Sequence, residues 1–392
     1  MIDFTLSEND QKVLDYVRTE ALVARKYARE YDENEHEFPP DELPEKDDYP
    51  GLGSVMGGRT EEDTTMATIS MLTSMGMFWG DYSVRIRQGR GALGNAALGA
   101  AGTDEQKMKF GGMILAMAIT EPGCGSDPSQ VQTTAVLDGD EWVINGEKIF
   151  VTTGCRADGV VVWATLDRSA GRAGIKSFVI EKGAPGFVVA HKEKKLGIRA
   201  DDTAAYVFTD CRIPRGNLLG GNEKVEPKKG SGGFKGVMKT FNMTRPGVAA
   251  MGLGMSRAAL DFTRDHLREA GCDVDVYGVG VGSQSAVVER FQRLEAMQEA
   301  AELTVLRAAW LSDKGLPNNR EASISKAKGG ASVRLITQGC IDLLGPLGAS
   351  REHLLEKWFR DVRITDIYEG TQQIQHLIIA RDILGYGRAE LS

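Results

Sequence analysis

The chain has 392 residues, enough for two or three domains with substantial cores, and no segment approaches the roughly 20 apolar residues that a membrane-spanning helix needs. Its 55 acidic and 47 basic residues give a net charge of -8, which argues against nucleic acid or an anionic membrane surface as the main partner. The five cysteines lie far apart and do not cluster with the five histidines, so neither a disulfide framework nor a zinc site is expected. The N-terminus lacks the basic and apolar regions of a signal peptide, and a cytoplasmic protein is expected.

The N-terminal part has the composition of helices. Ser7 followed by Asp10 predicts a helix start, and apolar residues mark one face of that helix to about residue 33. Residues 38–50 are rich in proline and acidic residues and predict a solvated loop. Helical character returns over 61–110, where 102–107 resembles a capped helix start. These features predict an α-helical domain over 1–114.

The middle of the chain predicts an antiparallel β domain over 115–220. It is rich in valine, threonine, isoleucine and aromatic residues, and residues 159–165 and 176–181 read as buried strands. Three dipeptides are turn or hairpin signals: Asp138-Gly139, Asn145-Gly146 and Pro185-Gly186. Residues 216–233 predict a linker.

The C-terminal part, 234–392, predicts a four-helix bundle, because four long segments have helical apolar spacing. These segments are about 234–268, 284–314, 319–344 and 350–384. The predicted fold class is therefore a multi-domain α+β protein, in which an N-terminal α domain, a middle antiparallel β domain and a C-terminal four-helix bundle follow one another.

Near the C-terminus, Glu369 lies in the segment Ile367–Ile374, where a glycine and a threonine break the helical pattern. A carboxylate held against Ile367 and Tyr368 would be partly desolvated, and desolvation would raise its pKa and make it a better proton acceptor near neutral pH. The alternative is a surface glutamate in a loop, with Thr371 as the N-cap of the next helix.

Two stretches of the β region could bind a planar ligand. Residues 118–127 end a strand and open a glycine-rich loop, and residues 145–154 place Phe150 and Thr152 on the same face of a strand. An aromatic ligand could stack near Phe150 and accept hydrogen bonds from Thr120 and Thr152. Taken singly, each threonine is better explained as a strand former than as a ligand contact.

Two further stretches are distinctive: residues 194–204, and Thr244-Arg245-Pro246 at the start of a helix. The helix macrodipole does not favour an arginine near a helix N-terminus. Arg245 is therefore interpreted as a residue that holds an anionic partner.

Four motifs in this order, TEPGCGSD, NGEKIFVTTG, LGIRADDTA and IYEGTQQIQ, resemble the acyl-CoA dehydrogenase family over roughly residues 90–385. The resemblance implies the three-domain fold described above and an FAD cofactor between the middle domain and the bundle. It implies an oxidoreductase of lipid metabolism that converts an acyl thioester, acyl-CoA or acyl-carrier protein, to the trans-2-enoyl thioester. It also implies an electron-transfer flavoprotein as acceptor and a homo-oligomer, a dimer or tetramer, with a hetero-oligomer as the alternative.

The resemblance also assigns residues. Glu369 matches the catalytic base, and Thr244 stands at the family's other base position, where a threonine cannot serve. The matched flavin-binding positions are Ile119, Thr120, Gly125, Ser126, Phe150, Thr152, Thr371 and Gln373. The matched substrate-side positions are Ser126, Asn242, Arg245, Tyr368 and Gly370, and no metal is implied. In the implied mechanism, the Glu369 N–H and a flavin ribityl hydroxyl bind the thioester carbonyl. Glu369 removes the α-proton, and hydride leaves the β-carbon for flavin N5.

The chain departs from the family where a neighbouring subunit grips FAD. Ala270 stands at the position of an arginine, and Tyr277-Gly278 is a displaced counterpart of a Phe-Gly pair. Positions near the adenine match Asp342, Gly345 and Pro346, and Asn242 replaces an acidic residue. A different partner subunit, substitutes such as Arg268, Ser283 or Gln284, or a slipped alignment could each explain this.

Two other functions stay open at this point. One is a flavin oxidase or monooxygenase on the same fold, although such relatives often lack the glutamate of the YEGT motif or add a C-terminal domain. The other is a non-catalytic subunit of a hetero-oligomer, which weak FAD binding would favour and Glu369 opposes.

Overall fold

The computed structural model describes residues 5–35, 63–82, 93–225, 232–276, 285–387 and 390, and over 232–243 it describes the backbone alone. The chain divides into two compact units. The helical unit comprises residues 1–86, 196–200 and 242–392, and the β unit comprises residues 87–195 and 201–241.

Ten α-helices lie in the described ranges: α1 (Glu8–Glu33), α2 (Met66–Phe78), α3 (Leu93–Ala101), α4 (Asp104–Phe110), α5 (Gly232–Glu269), α6 (Ala286–Asp313), α7 (Asn319–Leu344), α8 (Pro346–Ala349), α9 (Leu355–Asp361) and α10 (Gln372–Leu384). Seven strands form one sheet: β1 (Leu115–Ala118), β2 (Thr134–Asp138), β3 (Glu141–Thr152), β4 (Gly159–Thr165), β5 (Ile175–Glu181), β6 (Phe187–Lys192) and β7 (Thr203–Pro214). Short 3-10 turns occupy Pro128–Gln130, Arg168–Ala173, Arg215–Asn217 and Val362–Asp366.

The predicted N-terminal helix starts are confirmed by their capping. Ser7 Oγ accepts a hydrogen bond from the Asp10 N–H at 3.0 Å, and the Asp10 carboxylate accepts one from the Ser7 N–H at 3.2 Å. Thr103 and Gln106 form the same reciprocal pair at the start of α4. Each pair satisfies two backbone donors that the first helical turn would leave unbonded.

The sheet of the β unit has the strand order β1-β4-β2-β3-β7-β6, and β5 pairs with β4. The antiparallel pair β3–β7 runs from Glu141 opposite Pro214 to Thr152 opposite Thr203. The predicted antiparallel pairing is confirmed for β2–β3, β3–β7, β4–β5 and β6–β7, whereas β4 is parallel to β1 and also to β2. Turn signals locate hairpins between successive strands, whereas they say nothing about pairing between strands far apart in sequence.

One predicted turn is instead a bulge. Strand β3 passes through Asn145-Gly146, where its register against β7 shifts and Gly146 has a φ of 149°. A Cβ on Gly146 would lie 2.5 Å from Thr133 Oγ1, so this close approach requires glycine. The other two turn signals are confirmed: Gly139 joins β2 to β3 and Gly186 precedes β6, both with positive φ.

The predicted buried strands form the core of the β unit. All seven residues of β4 are buried, and β5 pairs with it along its whole length. Trp142 packs edge-on against Phe178, with 5.2 Å between ring centroids. Aromatic and aliphatic side chains from at least four strands therefore fill one apolar layer.

The helical unit contains the predicted bundle. Helices α5, α6 and α7 reproduce the first three predicted segments within a few residues, and α7 contacts both α6 and α10. Their shared core includes Leu260, Phe291, Leu294, Ile336, Cys340 and Trp358. The fourth predicted segment is divided into α9, a 3-10 turn and α10, and the division contains Glu369.

Candidate active site

Glu369 lies in a tight turn between the 3-10 turn Val362–Asp366 and helix α10. Thr371 is the N-cap of α10, and its hydroxyl accepts a hydrogen bond from the Ile374 N–H at 3.4 Å. Glu369 has a φ of 55° and Gly370 a φ of 91°. A left-handed non-glycine residue costs about 1–3 kcal/mol, so the surrounding structure must hold this turn. The predicted helix break is confirmed.

The carboxylate of Glu369 is desolvated, as the sequence predicted. The residue is partly exposed, but its Oε2 is buried and has no hydrogen-bond partner in the part of the chain that the structure describes. Burial raises the pKa of the Glu369 carboxyl, and the Thr244 hydroxyl and the positive charges of Lys326 and Arg245 lower it to a smaller extent. Ile367, expected to cover the carboxylate, is 57% exposed. An unsatisfied, desolvated carboxylate oxygen is suited to accept a proton.

Lys326, on α7, is a residue that the sequence analysis missed. It is 1% exposed, and its Nζ donates a hydrogen bond to the Gly370 carbonyl at 2.7 Å. Burial lowers the pKa of Lys326 to about 8, although the charges of Asp366 and Glu369 act in the opposite direction. Its only sequence signal was a lysine within a run of alanine, serine and glycine on α7.

Gln375, in the first turn of α10, was also missed. It is fully buried, and its Nε2 donates to the carbonyls of Glu369 at 3.3 Å and Gly370 at 3.0 Å. Its signal was a polar residue among the apolar positions of α10. The two carbonyls of the left-handed turn are thus bound by side chains from α7 and α10.

Arg245 lies inside helix α5, which begins at Gly232, so its predicted position at a helix start was wrong. The helix begins before the Thr244-Arg245-Pro246 motif and continues through it, with Pro246 inside the helix, where a proline usually kinks or breaks it. Arg245 is 3% exposed and donates to Ser323 Oγ at 3.5 Å. Burial lowers the pKa of Arg245, and the nearby carboxylate of Glu369 acts in the opposite direction. The side chain of Asn242 lies outside the described residues.

Tyr368 connects the turn to an apolar cluster of the helical unit. Its hydroxyl is hydrogen-bonded to the Tyr82 hydroxyl and lies 4.0 Å from Met251 Sδ. Tyr82 is 1% exposed and was not indicated by the sequence. The cluster around them includes Met71, Phe78, Ala250, Leu253 and Val333. The side of the turn near Tyr368 is thus mainly apolar.

In the β unit, the strand that carries Phe150 has a bulge. The register of β3 against β7 shifts between Lys148 and Val151, and Phe150 has a φ of 58°. The Phe150 ring is 61% exposed, whereas Val151 is buried. Backbone hydrogen bonding between Ile149 N–H and the Thr120 carbonyl, at 2.9 Å, brings the TEPGCGSD and NGEKIFVTTG motifs together.

The predicted flavin-binding threonines lie near this bulge. Thr120 and Thr152 are half-buried, and neither hydroxyl forms a hydrogen bond within the described residues. An exposed aromatic ring beside available hydroxyls fits one face of a planar, hydrogen-bonding ring system. Ile119 is half-buried, whereas Gly125 and Ser126 are exposed in the loop that follows β1. The remaining two predicted positions lie in the helical unit, at Thr371 and the exposed Gln373.

Charged residues of the same motifs form a buried pair that sequence reasoning missed. Lys148 Nζ lies 2.7 Å from Glu121 Oε1, and both side chains are nearly fully buried. Glu121 also accepts hydrogen bonds from the Thr133 N–H at 2.9 Å and hydroxyl at 2.6 Å. Among the described residues, the hydrogen-bond partners of this pair lie within the β unit, so it fastens the glycine-rich loop to β3.

The positions that depart from the family are only partly described. Ala270 is exposed, Arg268 is paired with Asp275, and Asp342 is paired with Arg290 at 2.5 Å. Tyr277, Gly278, Ser283 and Gln284 lie outside the described residues. The explanations given for the altered FAD contacts therefore stay predictions.

In the described ranges, no group of three or more histidine, cysteine, aspartate or glutamate side chains is arranged to hold a metal ion. None of the helices in these ranges has both the length and the apolar character that crossing a bilayer requires.

Comparisons with known proteins agree with the four motifs. Residues 116–211 match the family model of the acyl-CoA dehydrogenase middle domain, and residues 231–384 match that of the C-terminal domain. The chain is 33% identical over 393 residues to the short-chain specific acyl-CoA dehydrogenase of Clostridium acetobutylicum, covering 97% of this chain and 100% of that protein.

Solved structures show the same similarity. Butyryl-CoA dehydrogenase from Megasphaera elsdenii superposes with a TM-score of 0.81 at 28% identity, over 98% of this chain and 100% of that one. A chain from a structure described as the electron transferring flavoprotein of Acidaminococcus fermentans superposes with a TM-score of 0.80 at 30% identity, again over 98% and 100%. The expected fold class and FAD cofactor are supported by these matches. The chain therefore belongs to the acyl-CoA dehydrogenase family of enzymes.

Proposed function

We propose that this enzyme dehydrogenates a short-chain acyl-CoA at its α and β carbons, with FAD as the hydride acceptor and Glu369 as the base. One observation carries this assignment of the base: Glu369 Oε2 is buried without a hydrogen-bond partner in the described part of the chain. A carboxylate in this condition gains more from accepting a proton than a solvated one does.

The turn also supports binding of the thioester carbonyl. No hydrogen bond within the described residues takes up the Glu369 N–H, whereas the carbonyls on this turn are bound by Gln375 and Lys326. A backbone donor beside the base can stabilise the negative charge that develops on the thioester oxygen when the α-proton leaves. Base and donor then belong to one residue, and their relative position is fixed by the turn.

FAD, when bound, supplies the redox chemistry by taking up hydride from the β-carbon. Within the β unit, Phe150 would hold and orient it through its exposed ring, and Thr120 and Thr152 through their hydroxyls. Thr371 and Gln373, at the start of α10 in the helical unit, stay predicted cofactor contacts. The first N–H groups of an α-helix also suit a pyrophosphate. Gly125 and Ser126 are exposed in a loop that could contact the cofactor or the thioester arm.

A short acyl chain fits the residues beside the base. The Tyr368 and Tyr82 hydroxyls are hydrogen-bonded to each other, and the Tyr368 hydroxyl lies next to Met251. The surrounding apolar cluster is closely packed within the helical unit. Apolar walls favour an acyl chain, and large side chains close to the base favour a small one. Two similar proteins are named for short acyl chains: a short-chain specific acyl-CoA dehydrogenase and a butyryl-CoA dehydrogenase.

We also propose an electron acceptor and an oligomeric state. An electron-transfer flavoprotein is the proposed electron acceptor, because one similar chain comes from a structure of such a system. A homo-oligomer is proposed because Leu335, Ile383 and Leu384 are more than half exposed on the helical unit. An acyl-carrier protein as substrate, a hetero-oligomer and a cytoplasmic location stay predictions.

Anaerobic reduction by butyryl-CoA tests the proposed function. We expect the purified protein to show a flavin spectrum that butyryl-CoA bleaches without oxygen, which also separates a dehydrogenase from a monooxygenase. Glu369→Gln should keep the flavin spectrum and lose bleaching by about 1000-fold or more, because the base is absent. The matched change Glu352→Gln, at an exposed position, should leave bleaching unchanged. A colourless protein, or a Glu369→Gln variant bleached at the wild-type rate, would contradict the proposal.

A further inference from the structure

Lys326 is a buried, charged residue beside the turn that carries Glu369. Its Nζ donates to the Gly370 carbonyl at 2.7 Å, and only 1% of the residue is exposed. Burying an ammonium group is costly unless nearby groups compensate. In an unspecialised core, this position on α7 between Ser325 and Ala327 would suit a small or apolar residue, so the lysine needs a local reason.

The turn that Lys326 binds is one that the backbone does not favour. Glu369 and Gly370 both have positive φ, and only the second is a glycine. Gln375, on α10, donates hydrogen bonds to the carbonyls of both Glu369 and Gly370. Without these donors, two partly buried carbonyls would lose their partners, and the turn would lose what holds it in its left-handed form.

The charges that face this turn come from three elements. Arg245 on α5 and Lys326 on α7 are positive, Asp366 in the 3-10 turn is negative, and Glu369 lies among them. The positive charge of Lys326 favours the ionised form of Glu369, and Asp366 and Glu369 in turn favour the ammonium form of Lys326. Geometry and charge therefore act on the same carboxylate.

We propose that Lys326 is a positioning residue for Glu369: through the Gly370 carbonyl it fixes the turn that aims the carboxylate, and through its charge it keeps that carboxylate ionised. The inference rests on the proposed role of Glu369 as the base. Lys326 touches no substrate atom in this account and acts on Glu369 alone, through the turn and through its charge. Gln375 supplies the second attachment of the same turn.

The test uses FAD-bound enzyme and two readouts. The first is the pH at which Glu369 is half protonated, followed by NMR of protein labelled with carboxyl carbon-13 glutamate and assigned by the signal missing from Glu369→Gln. The second is the pH dependence of anaerobic flavin reduction by butyryl-CoA. Lys326→Met removes the charge and the donor, Lys326→Arg keeps the charge, and Lys328→Met is the matched control because Lys328 is exposed on the same helix.

We expect Lys326→Met to raise the half-protonation pH of Glu369 by about one unit, because an ionised carboxylate loses a neighbouring positive charge. The acid limb of flavin reduction should move upward in parallel, a loss of about tenfold at a pH well below the midpoint. Lys326→Arg should restore most of the midpoint, and Lys328→Met should change neither readout. A merely structural lysine would lower stability and leave the midpoint unchanged.

The outcomes separate this inference from the proposed function. An unchanged Glu369 midpoint in a folded Lys326→Met variant would overturn the role of Lys326 while leaving Glu369 as the base. A moved midpoint with an unmoved acid limb would support the action of Lys326 on Glu369 and overturn Glu369 as the base. If Lys326→Met does not fold, the midpoint in Lys326→Gln, which removes the charge and keeps a shorter donor, decides in the same way.

Discussion

Two buried groups of charged side chains in the helical unit differ in whether their carboxylates have hydrogen-bond partners. The closed cluster consists of Lys357, Asp81 and Asp361: Lys357 Nζ lies 2.5 Å from Asp81 and 2.6 Å from Asp361, and all three side chains are fully buried. The open cluster consists of Glu369, Lys326 and Arg245, and the Glu369 Oε2 has no hydrogen-bond partner among the described residues.

The difference teaches how burial serves two purposes. In the closed cluster, Asp361 also accepts the Ile198 N–H at 2.7 Å, and the two carboxylates raise the pKa of Lys357 despite its burial. Its charges are paired, so removing one of them would leave the others buried and uncompensated. In the open cluster, Lys326 donates to a backbone carbonyl, and burial raises the pKa of Glu369. The unsatisfied oxygen is what makes chemistry possible there.

Breaking the closed cluster should have the largest effect on stability. Lys357→Met would leave two fully buried carboxylates without their shared cation, and we expect a loss of about 3–5 kcal/mol in the free energy of unfolding. Urea denaturation followed by tryptophan fluorescence measures this loss, with Lys328→Met as the exposed control on α7. A loss below about 1 kcal/mol would mean that the cluster does not hold the helical unit together.

Distorting the open cluster should cost less stability and more activity. Gly370 has a φ of 91°, and a Cβ there would lie 2.6 Å from Gln375 Nε2. We expect Gly370→Ala to lose about 1–2 kcal/mol of unfolding free energy and to slow flavin reduction at least several-fold, because the turn must shift.

Gly385→Ala is the matched control for that change. Gly385 follows the last residue of α10, has a φ of 67°, and has no atom within 4 Å of the position that an alanine Cβ would take there. The change therefore carries only the conformational cost. It should lose comparable stability without slowing flavin reduction. Equal activity of the two variants would show that the exact form of the turn does not matter for catalysis.

An exposed ion pair should give the smallest effect. Arg293 lies 2.5 Å from Glu289, but the two side chains are 76% and 57% exposed. We expect Arg293→Met to change the free energy of unfolding by less than about 0.5 kcal/mol, because water screens the pair. A loss as large as that of Lys357→Met would remove burial as the basis of the comparison.

The sequence predicted the order of elements well, because periodicity and capping are local. The bounds of α7, the caps at Ser7 and Thr103 and the helix break at Glu369 all follow from neighbouring residues. Strand pairing was less accessible: the parallel pairing of β1 with β4 joins segments about 40 residues apart. Such pairing depends on tertiary contacts that no local pattern specifies.

The residues of the candidate site likewise differ in whether the sequence could predict them. The desolvation of Glu369 could be predicted because its turn lies within one short segment. Lys326 and Gln375 could not, since each binds the turn through a backbone carbonyl, and a carbonyl leaves no trace in the sequence. Arg245 was singled out for a position that the structure contradicts, and its partnership with Glu369 emerges only when α5 packs beside the turn.

The most direct test of the account is exchange of the α-proton itself. Butyryl-CoA incubated with the FAD-bound enzyme in D2O should gain deuterium at its α-carbon, with an acid limit above the ordinary pKa of glutamate because burial raises the pKa of Glu369. NMR of the recovered thioester should show exchange with wild-type enzyme and Glu352→Gln, and at least about 1000-fold less with Glu369→Gln. Exchange at the wild-type rate in Glu369→Gln would show that another group removes the proton.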